Sequence, residues 1–364
     1  MAGLMPTVAA DTRSQVLTPA ELPFEQLGAR FAEAAAGDPN ELNLLIAGHP
    51  VRIRIAGRRW SDIVRAAMGH LEVAGKATTP ELCIDAWDAE ETGVPIVTAA
   101  QSNLPAPPVL MRTSQDGHQV GEERPHSLVW LDRTARRIVG CIESTRFLNL
   151  DERARPFHKL ISAWLEENGI QFVHSGLIEH NGSGVLFVGN GGAGKSTSSI
   201  ACLRAGMGYL GDDFLGLGVA AGRFVGHGLY ASCLLNVHHI QRFPDLRPLG
   251  HAPNHAIEDK CVLYLKEAFP HSLKRRAPVD ALVLPRVVDR EMTSFRPATK
   301  MAALKAIAPT SVMYLPRPNR AAFERLTQLV EKTPCFWLEL GRNIESIPLA
   351  VAALVDSIRI PEAA

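Results

Sequence analysis

The chain has 364 residues, 46% of them hydrophobic and 21% charged, a composition that supplies enough apolar material for more than one globular core. Lys plus Arg and Asp plus Glu both number 38, so no basic field points to nucleic acid, and no window approaches the roughly 18 unbroken apolar residues of a membrane span. The six cysteines are scattered without a CxxC pair, which excludes a disulfide frame or zinc ribbon and sets the expectation of buried free thiols in a cytoplasmic protein.

Residues 1–40 show little periodic pattern and are expected to be poorly ordered; the opening "MAGLMPTVAADTRSQ" has neither the basic nor the apolar region of a secretory signal. From Asn43, "NLLIAGHPVRIRIAG" predicts two short strands about a Gly-His-Pro turn, the second alternating Val51, Ile53 and Ile55 with arginines. "SDIVRAAMGHLEVAG" places Ile63, Val64, Ala67, Met68 and Leu71 at helical spacing. Strands are expected at "ELCIDAWDA", "PVLMRTS", "SLVWLDR" and "RRIVGCIES", with the proline-rich loop "QSNLPAPPV" among them. One helix among many strands predicts a small α+β domain with an antiparallel sheet over residues 41–148. His49, His70, His118 and His126 have no acidic neighbours in the pattern and read as surface or turn residues. A charged stretch, "NLDERARP", marks a boundary, and residues 149–364 read as a second, α/β domain.

That domain opens with the helix "FHKLISAWLEENG", stopped by Gly169. "IQFVHSGLIEHNGSGVLFVG" then reads as two apolar runs joined by the Asn181-Gly182 turn. After it stands "GNGGAGKST": Gly189, Asn190, Gly191, Gly192, Ala193, Gly194, Lys195, Ser196 and Thr197, a match to G-x-x-x-x-G-K-[ST]. Its glycines let backbone N–H groups converge on phosphate oxygens. Lys195 supplies a charge for the β and γ phosphates, Ser196 offers a hydroxyl to Mg2+, and the helix "SSIACLRAG" aims its positive end at the same place. ATP and Mg2+ are therefore the expected cofactors. Asp212-Asp213 closes the next short apolar stretch. One carboxylate there is expected to serve Mg2+; the second either takes a proton from an attacking hydroxyl or caps a turn. His174, in the strand run before the cradle, is either a core residue or a partner of that pair. The remaining strands ("CVLYLK", "DALVLP", "CFWLEL") and helices ("TKMAALKAIA", "NRAAFERLTQLVEK", "SIPLAVAALVDSI") complete an α/β pattern.

Residues 172–215, "FVHSGLIEHNGSGVLFVGNGGAGKSTSSIACLRAGMGYLGDDFL", resemble the catalytic core of the HPr kinase/phosphorylase family. The resemblance implies an α/β P-loop kinase domain, HPr kinase/PEP carboxykinase-like in fold, that phosphorylates a serine hydroxyl. It also implies that His174 and Asp212 handle the substrate proton, that Asp213 joins Ser196 at Mg2+ and that Lys195 binds the phosphates, although the residues leave open which Asp does which job. No C-terminal signature of phosphorolysis is found. The first domain looks closer to divergent HPr-kinase-like proteins that accompany peptide-modification clusters than to the bifunctional regulators. The expected partner is a phosphoryl acceptor, whether protein, peptide or small molecule, with no nucleic acid or membrane; a homo-oligomer is compatible with the sequence. Two other readings remain: a regulatory ATPase or switch without an acceptor, and an inactive kinase fold kept as a peptide-binding module.

Weaker signals are His238-His239, which would point to opposite sides of a strand, and His251 with His255, separated by Pro253. Neither suits zinc. His255, Glu258, Asp259 and Lys260 form a loop that could reach the phosphates or the acceptor, and Lys274-Arg275-Arg276 reads as a solvated basic turn.

Overall fold

A computed structural model of the chain describes residues 14–17, 24–74, 79–96, 109–251, 260–313 and 319–359. Within the stretch expected to lack order, β1 (Ser14–Leu17) and α1 (Phe24–Ala34) are regular elements. In α1, Phe24, Leu27 and Phe31 fall on one stripe and bury against Trp87 and Trp130, a helical period hidden among alanines and glutamates. There follow β2 (Asn40–Ile46), β3 (His49–Ala56), α2 (Arg58–Met68), β4 (Leu82–Asp88), α3 (Ala89–Thr92), β5 (Leu110–Ser114), β6 (Gln119–Arg124), β7 (Ser127–Asp132) and β8 (Arg137–Ile142).

These strands form one eight-stranded sheet in the order β1-β5-β6-β7-β8-β4-β3-β2. Val51, Ile53 and Ile55 are buried as their alternation predicts. The sheet is mixed, not antiparallel: β3, β4 and β8 run parallel, as do β1 and β5. The cause is the crossover through α2, which returns the chain in the direction it left. β6 has no counterpart in the sequence reading, because Glu122, Glu123 and Arg124 disguise a strand whose Val120, Gly121 and Glu122 are buried. α2 and α5 (His158–Glu167) lie on the face opposite α1, the chain reaching α5 through the short α4 (Leu150–Ala154). The apolar core here is continuous across residue 149: Leu42, Ile53 and Trp60 share one cluster with Leu160, Trp164, Phe172 and Phe214.

Next come β9 (Gln171–His174), β10 (Gly176–His180), β11 (Ser183–Phe187), α6 (Lys195–Arg204), β12 (Gly208–Gly211), β13 (Phe214–Ala220), β14 (Arg223–Gly228), β15 (Ser232–Asn236) and α7 (Val237–Ile240). The rest comprises β16 (Gly250–His251), β17 (Lys260–Tyr264), β18 (Arg276–Pro278), β19 (Ala281–Val287), β20 (Ser294–Pro297), α8 (Lys300–Met313), α9 (Arg320–Lys332), β21 (Cys335–Leu340) and α10 (Ser346–Arg359). A six-stranded sheet, β12-β10-β11-β19-β21-β20, has β11, β19 and β21 parallel at its centre. α6 and α10 cover one face, and α8 and α9 the other. The latter pair also packs on a four-stranded sheet, β18-β14-β13-β9; a three-stranded sheet, β15-β17-β16, completes the fold. The chain is thus a mixed α/β structure with several sheets. Among the described residues no helix is long and apolar enough to cross a membrane.

Several histidines are built in as neutral groups. Burial, reinforced by Arg275 and Lys266, holds His70 down to about 3; burial also holds His158 and His227 down to about 4. Below the usual 6.5 the unfolded chain binds protons that the folded one refuses. Stability is therefore expected to fall as the pH drops from 6.5 towards 4, by on the order of 1 kcal/mol per pH unit for each such histidine. Urea unfolding at pH 7 and pH 5 measures it, and equal midpoints would refute it.

Candidate active site

The loop Gly189–Gly194 leaves the carboxyl edge of the three parallel strands, anchored where Val188 N–H donates to Val283 O at 2.8 Å. Gly194 is its critical turn. It caps α6 at φ 108°, and a Cβ there would lie 2.4 Å from Leu340 Cδ1. Asn190, Gly191 and Gly192 are exposed, Ser196 is half-buried, and Thr197 is turned into the interior. Gly194→Ala is expected to weaken ATP binding roughly tenfold or more through strain of about 1–3 kcal/mol at a left-handed position. A nucleotide titration with unchanged affinity would contradict that.

Lys195 opens α6 and is only 5% exposed. Its Nζ donates to Gly189 O at 2.8 Å and more weakly to Asn190 O at 3.4 Å. Burial pushes its ammonium down to about 8, against the upward pull of Asp212. The first turn of α6 contributes N–H groups that no helical carbonyl can reach, and the positive end of its dipole.

The two carboxylates stand where the chain passes from one sheet to another: β12 belongs to the six-stranded sheet, and β13 begins at Phe214 in the four-stranded one. Asp212 is 3% exposed, with Oδ1 accepting from the Tyr209 hydroxyl at 3.0 Å and Oδ2 from the Cys233 thiol at 3.1 Å. Burial pushes both donors well above their usual pKa values, so both keep their protons. Gly176 makes room for this corner, since a Cβ there would sit 2.5 Å from Ser199 Oγ and 3.3 Å from the Asp212 Cα.

Asp213 has other partners. Its Oδ1 lies 2.5 Å from His174 Nε2, and its Oδ2 is ion-paired with Arg155. Burial, then the charges of Lys195 and Arg155, push His174 down to about 3. The imidazole is therefore neutral and its Nε2–H donates to the carboxylate. The ring stacks on Phe214, centroids 5.3 Å apart, and the Arg155 guanidinium lies 4.8 Å from the same ring's centroid.

The sequence reading placed His174 in the first strand of the hairpin that leads to the loop. The structure splits that run: β9 ends at His174 in the four-stranded sheet, and only β10 and β11 form the hairpin about Asn181-Gly182. His174 meets the Asp pair because β9 and β13 are antiparallel with His174 opposite Phe214. Of the pair beside which His174 was expected, it is Asp213 that meets the imidazole, while Asp212 is bonded to Tyr209 and Cys233. Arg155 was missed, read only as part of a boundary; its spacing from Asp151 is local, but its pairing with Asp213 spans a distance along the chain that no pattern encodes.

His238-His239 sits on the short helix α7, not on a strand. His255, Glu258 and Asp259 lie outside the described residues, whereas Lys260 opens β17 and its charge reaches His174. Arg275 is no free turn residue: its guanidinium donates to Glu72 O at 2.8 Å and His70 O at 3.4 Å. Two histidines thought to lack acidic partners have them, His49 with Glu81 at 2.9 Å and His126 with Glu143 at 2.7 Å. Among the described residues no group of three or more His, Cys, Asp or Glu could hold a metal ion. Ser196, Asp212 and Asp213 carry the oxygen donors near the loop, the ligand type that a hard cation takes.

No family model matches the chain, and no curated protein does. Among solved structures, the Hpr(Ser) kinase/phosphatase from Coxiella burnetii matches with a TM-score of 0.30 and 14% identity, over 52% of this chain and 90% of that one.

Proposed function

We propose that this chain is a P-loop phosphotransferase that moves the γ-phosphoryl group of ATP, with Mg2+, to a serine hydroxyl of a protein, peptide or small molecule. One observation supports the reading: beside the glycine-rich loop with its lysine and a buried Asp212, a second carboxylate, Asp213, has His174 Nε2 2.5 Å from its Oδ1. A nucleotide switch needs the first carboxylate; an oriented second one suits the removal of a proton from an attacking hydroxyl.

The geometry favours exchanging the roles first given to the two Asp residues. Asp212 is the carboxylate whose charge acts on Lys195, and with Ser196 it would hold Mg2+. That ion, when bound, neutralises charge on the β and γ phosphates. The loop N–H groups and Lys195 fix the triphosphate. Asp213 receives the proton as the serine oxygen bonds to the γ-phosphorus and the bond to the β-phosphate oxygen breaks, leaving ADP. His174 keeps the carboxylate aimed by donating Nε2–H. Most of the rate would come from position and charge.

Incubation with γ-labelled ATP, Mg2+ and HPr, free serine or peptides encoded beside the gene tests this, with the label traced by mass. Label on a serine of one acceptor is expected. Label released only as free phosphate, at a rate indifferent to every acceptor, would identify an ATPase switch, and bound but unconsumed ATP a binding module.

A further inference from the structure

We infer that Arg155 is a positioning residue of this site, and that through it the eight-stranded sheet holds Asp213 in place. The inference rests on the phosphotransferase reading and adds to it a task for the first half of the chain.

Arg155 is 7% exposed and ends α4. One guanidinium nitrogen pairs with Asp213, another with Asp151, and the plane lies over Phe214. A planar fork can meet two carboxylates and a ring at once; an ammonium cannot. With His174 on the other oxygen, Asp213 is fixed from two elements, β9 and the end of α4. A buried ion pair is a poor source of net stability, because desolvation offsets the attraction. What this pair supplies is direction: it leaves the carboxylate little freedom to rotate.

Arg155 is itself held from both sides. α4 carries a capping box in which Glu152 N–H donates to Asn149 Oδ1 at 2.9 Å and Asn149 N–H to Glu152 Oε2 at 3.1 Å. The other oxygen of Glu152 leaves the helix for the sheet, accepting from Ser127 Oγ at 3.0 Å and lying 3.4 Å from Arg124 Nε. Arg124 in turn pairs with buried Glu122 at 2.7 Å, and Lys159 lies 3.5 Å from the same oxygen. On the nucleotide side, Ala154 O accepts from Ser232 Oγ and Pro156 O from the Tyr230 hydroxyl at 3.2 Å. The following residue, Phe157, is at φ 60°, a left-handed conformation tolerated where its surroundings over-determine it. Polar contacts thus tie β6 and β7 to Glu152 of α4, and the short helix itself carries that anchorage on to Arg155, which pairs with Asp213.

The test uses the full chain and γ-labelled ATP, turned over to the acceptor that the labelling experiment identifies or, without one, to water. Arg155→Gln is expected to leave the Kd for ATP within about twofold and lower kcat roughly a hundredfold; Arg155→Lys, keeping the charge but not the fork, should recover about a tenth of the wild-type rate. In an Asp213→Asn background, Arg155→Gln should add less than about a twofold loss, because the two act as a unit. Multiplying losses would overturn the inference, since Arg155 would then act independently of Asp213. If Arg155→Gln unfolds, Ser127→Ala decides: it removes the sheet's grip on Glu152 far from the nucleotide. A kcat reduced several-fold at unchanged ATP affinity supports the inference, and an unchanged kcat overturns it. Full activity of Asp213→Asn would instead sink the phosphotransferase assignment, and the inference with it. An inactive Asp213→Asn beside an unaffected Arg155→Gln would sink the inference alone.

Discussion

Asp213→Asn is expected to lower phosphoryl transfer roughly a thousandfold while ATP and Mg2+ still bind, within the range typical of losing a general base. The amide keeps the shape of the carboxylate and can still accept from His174 Nε2–H, so β9 and β13 should stay paired. What it loses is the capacity to take a proton and the charge opposite Arg155. Asp212→Asn should behave differently. Its Oδ1 and Oδ2 sit against Tyr209 and Cys233 in a closed corner, on the side whose charge acts on Lys195. A higher Mg2+ requirement is expected there, with residual transfer at saturating Mg2+. Steady-state rates against ATP and against Mg2+ for both variants separate the two cases. Equal loss in both, with no change in the Mg2+ requirement of either, would remove the division of labour proposed here.

Lys195→Ala is expected to abolish nucleotide-dependent turnover, by roughly a thousandfold or more, and to weaken ATP binding measurably. Such magnitudes are usual when a preorganised charge is removed from a transferring phosphoryl group. The fold should survive. Among the described residues the ammonium donates to Gly189 O and Asn190 O alone, and Asn190 is exposed, so water can replace at least one of those bonds. The cost to stability is then about 1–2 kcal/mol. Burial already presses this ammonium down to about 8, whereas a bound polyphosphate would stabilise its charge, so binding and ionisation support one another. Isothermal titration with ATP and a thermal melt measure both effects. An Ala variant that folds, binds ATP as tightly as the parent and turns it over would show that the loop is not a phosphate site.

The parts of this site that were legible in the sequence are those determined locally. Gly189 to Ser196 is a contiguous motif, and its context of strand before and helix after is also contiguous. The Asn181-Gly182 turn lies between neighbours in the chain and was equally plain, with both residues at positive φ. What was not legible depends on pairing at a distance. That His174 faces Asp213 and not Asp212 follows from the antiparallel register of β9 on β13, which no spacing in the chain encodes. Arg155 finds its role only once its guanidinium, at the end of α4, lies over Phe214 and beside Asp213. The parallel strands β3, β4 and β8 were misjudged because a short apolar strand carries no mark of its direction. β6 was lost for a different reason: its buried Glu122 serves a charge cluster, and a charged residue in a strand reads as a surface.

Loops generally absorb insertions, because their length is not tied to anything rigid. The Asp212-Asp213 step is tied at both ends: β12 is paired to β10 up to Gly211, and β13 is paired to β9 from Phe214. Each carboxylate thereby adjoins the strand end of a different sheet, and the spacing between them is fixed to a single peptide unit. A one-residue insertion here, silent in most connections of similar exposure, would put Asp213 out of phase with His174 while leaving the loop Gly189–Gly194 intact. The dipeptide therefore has the tolerance of a gauge, and length variation among descendants of this chain should be excluded from it long before it is excluded from the turns around it.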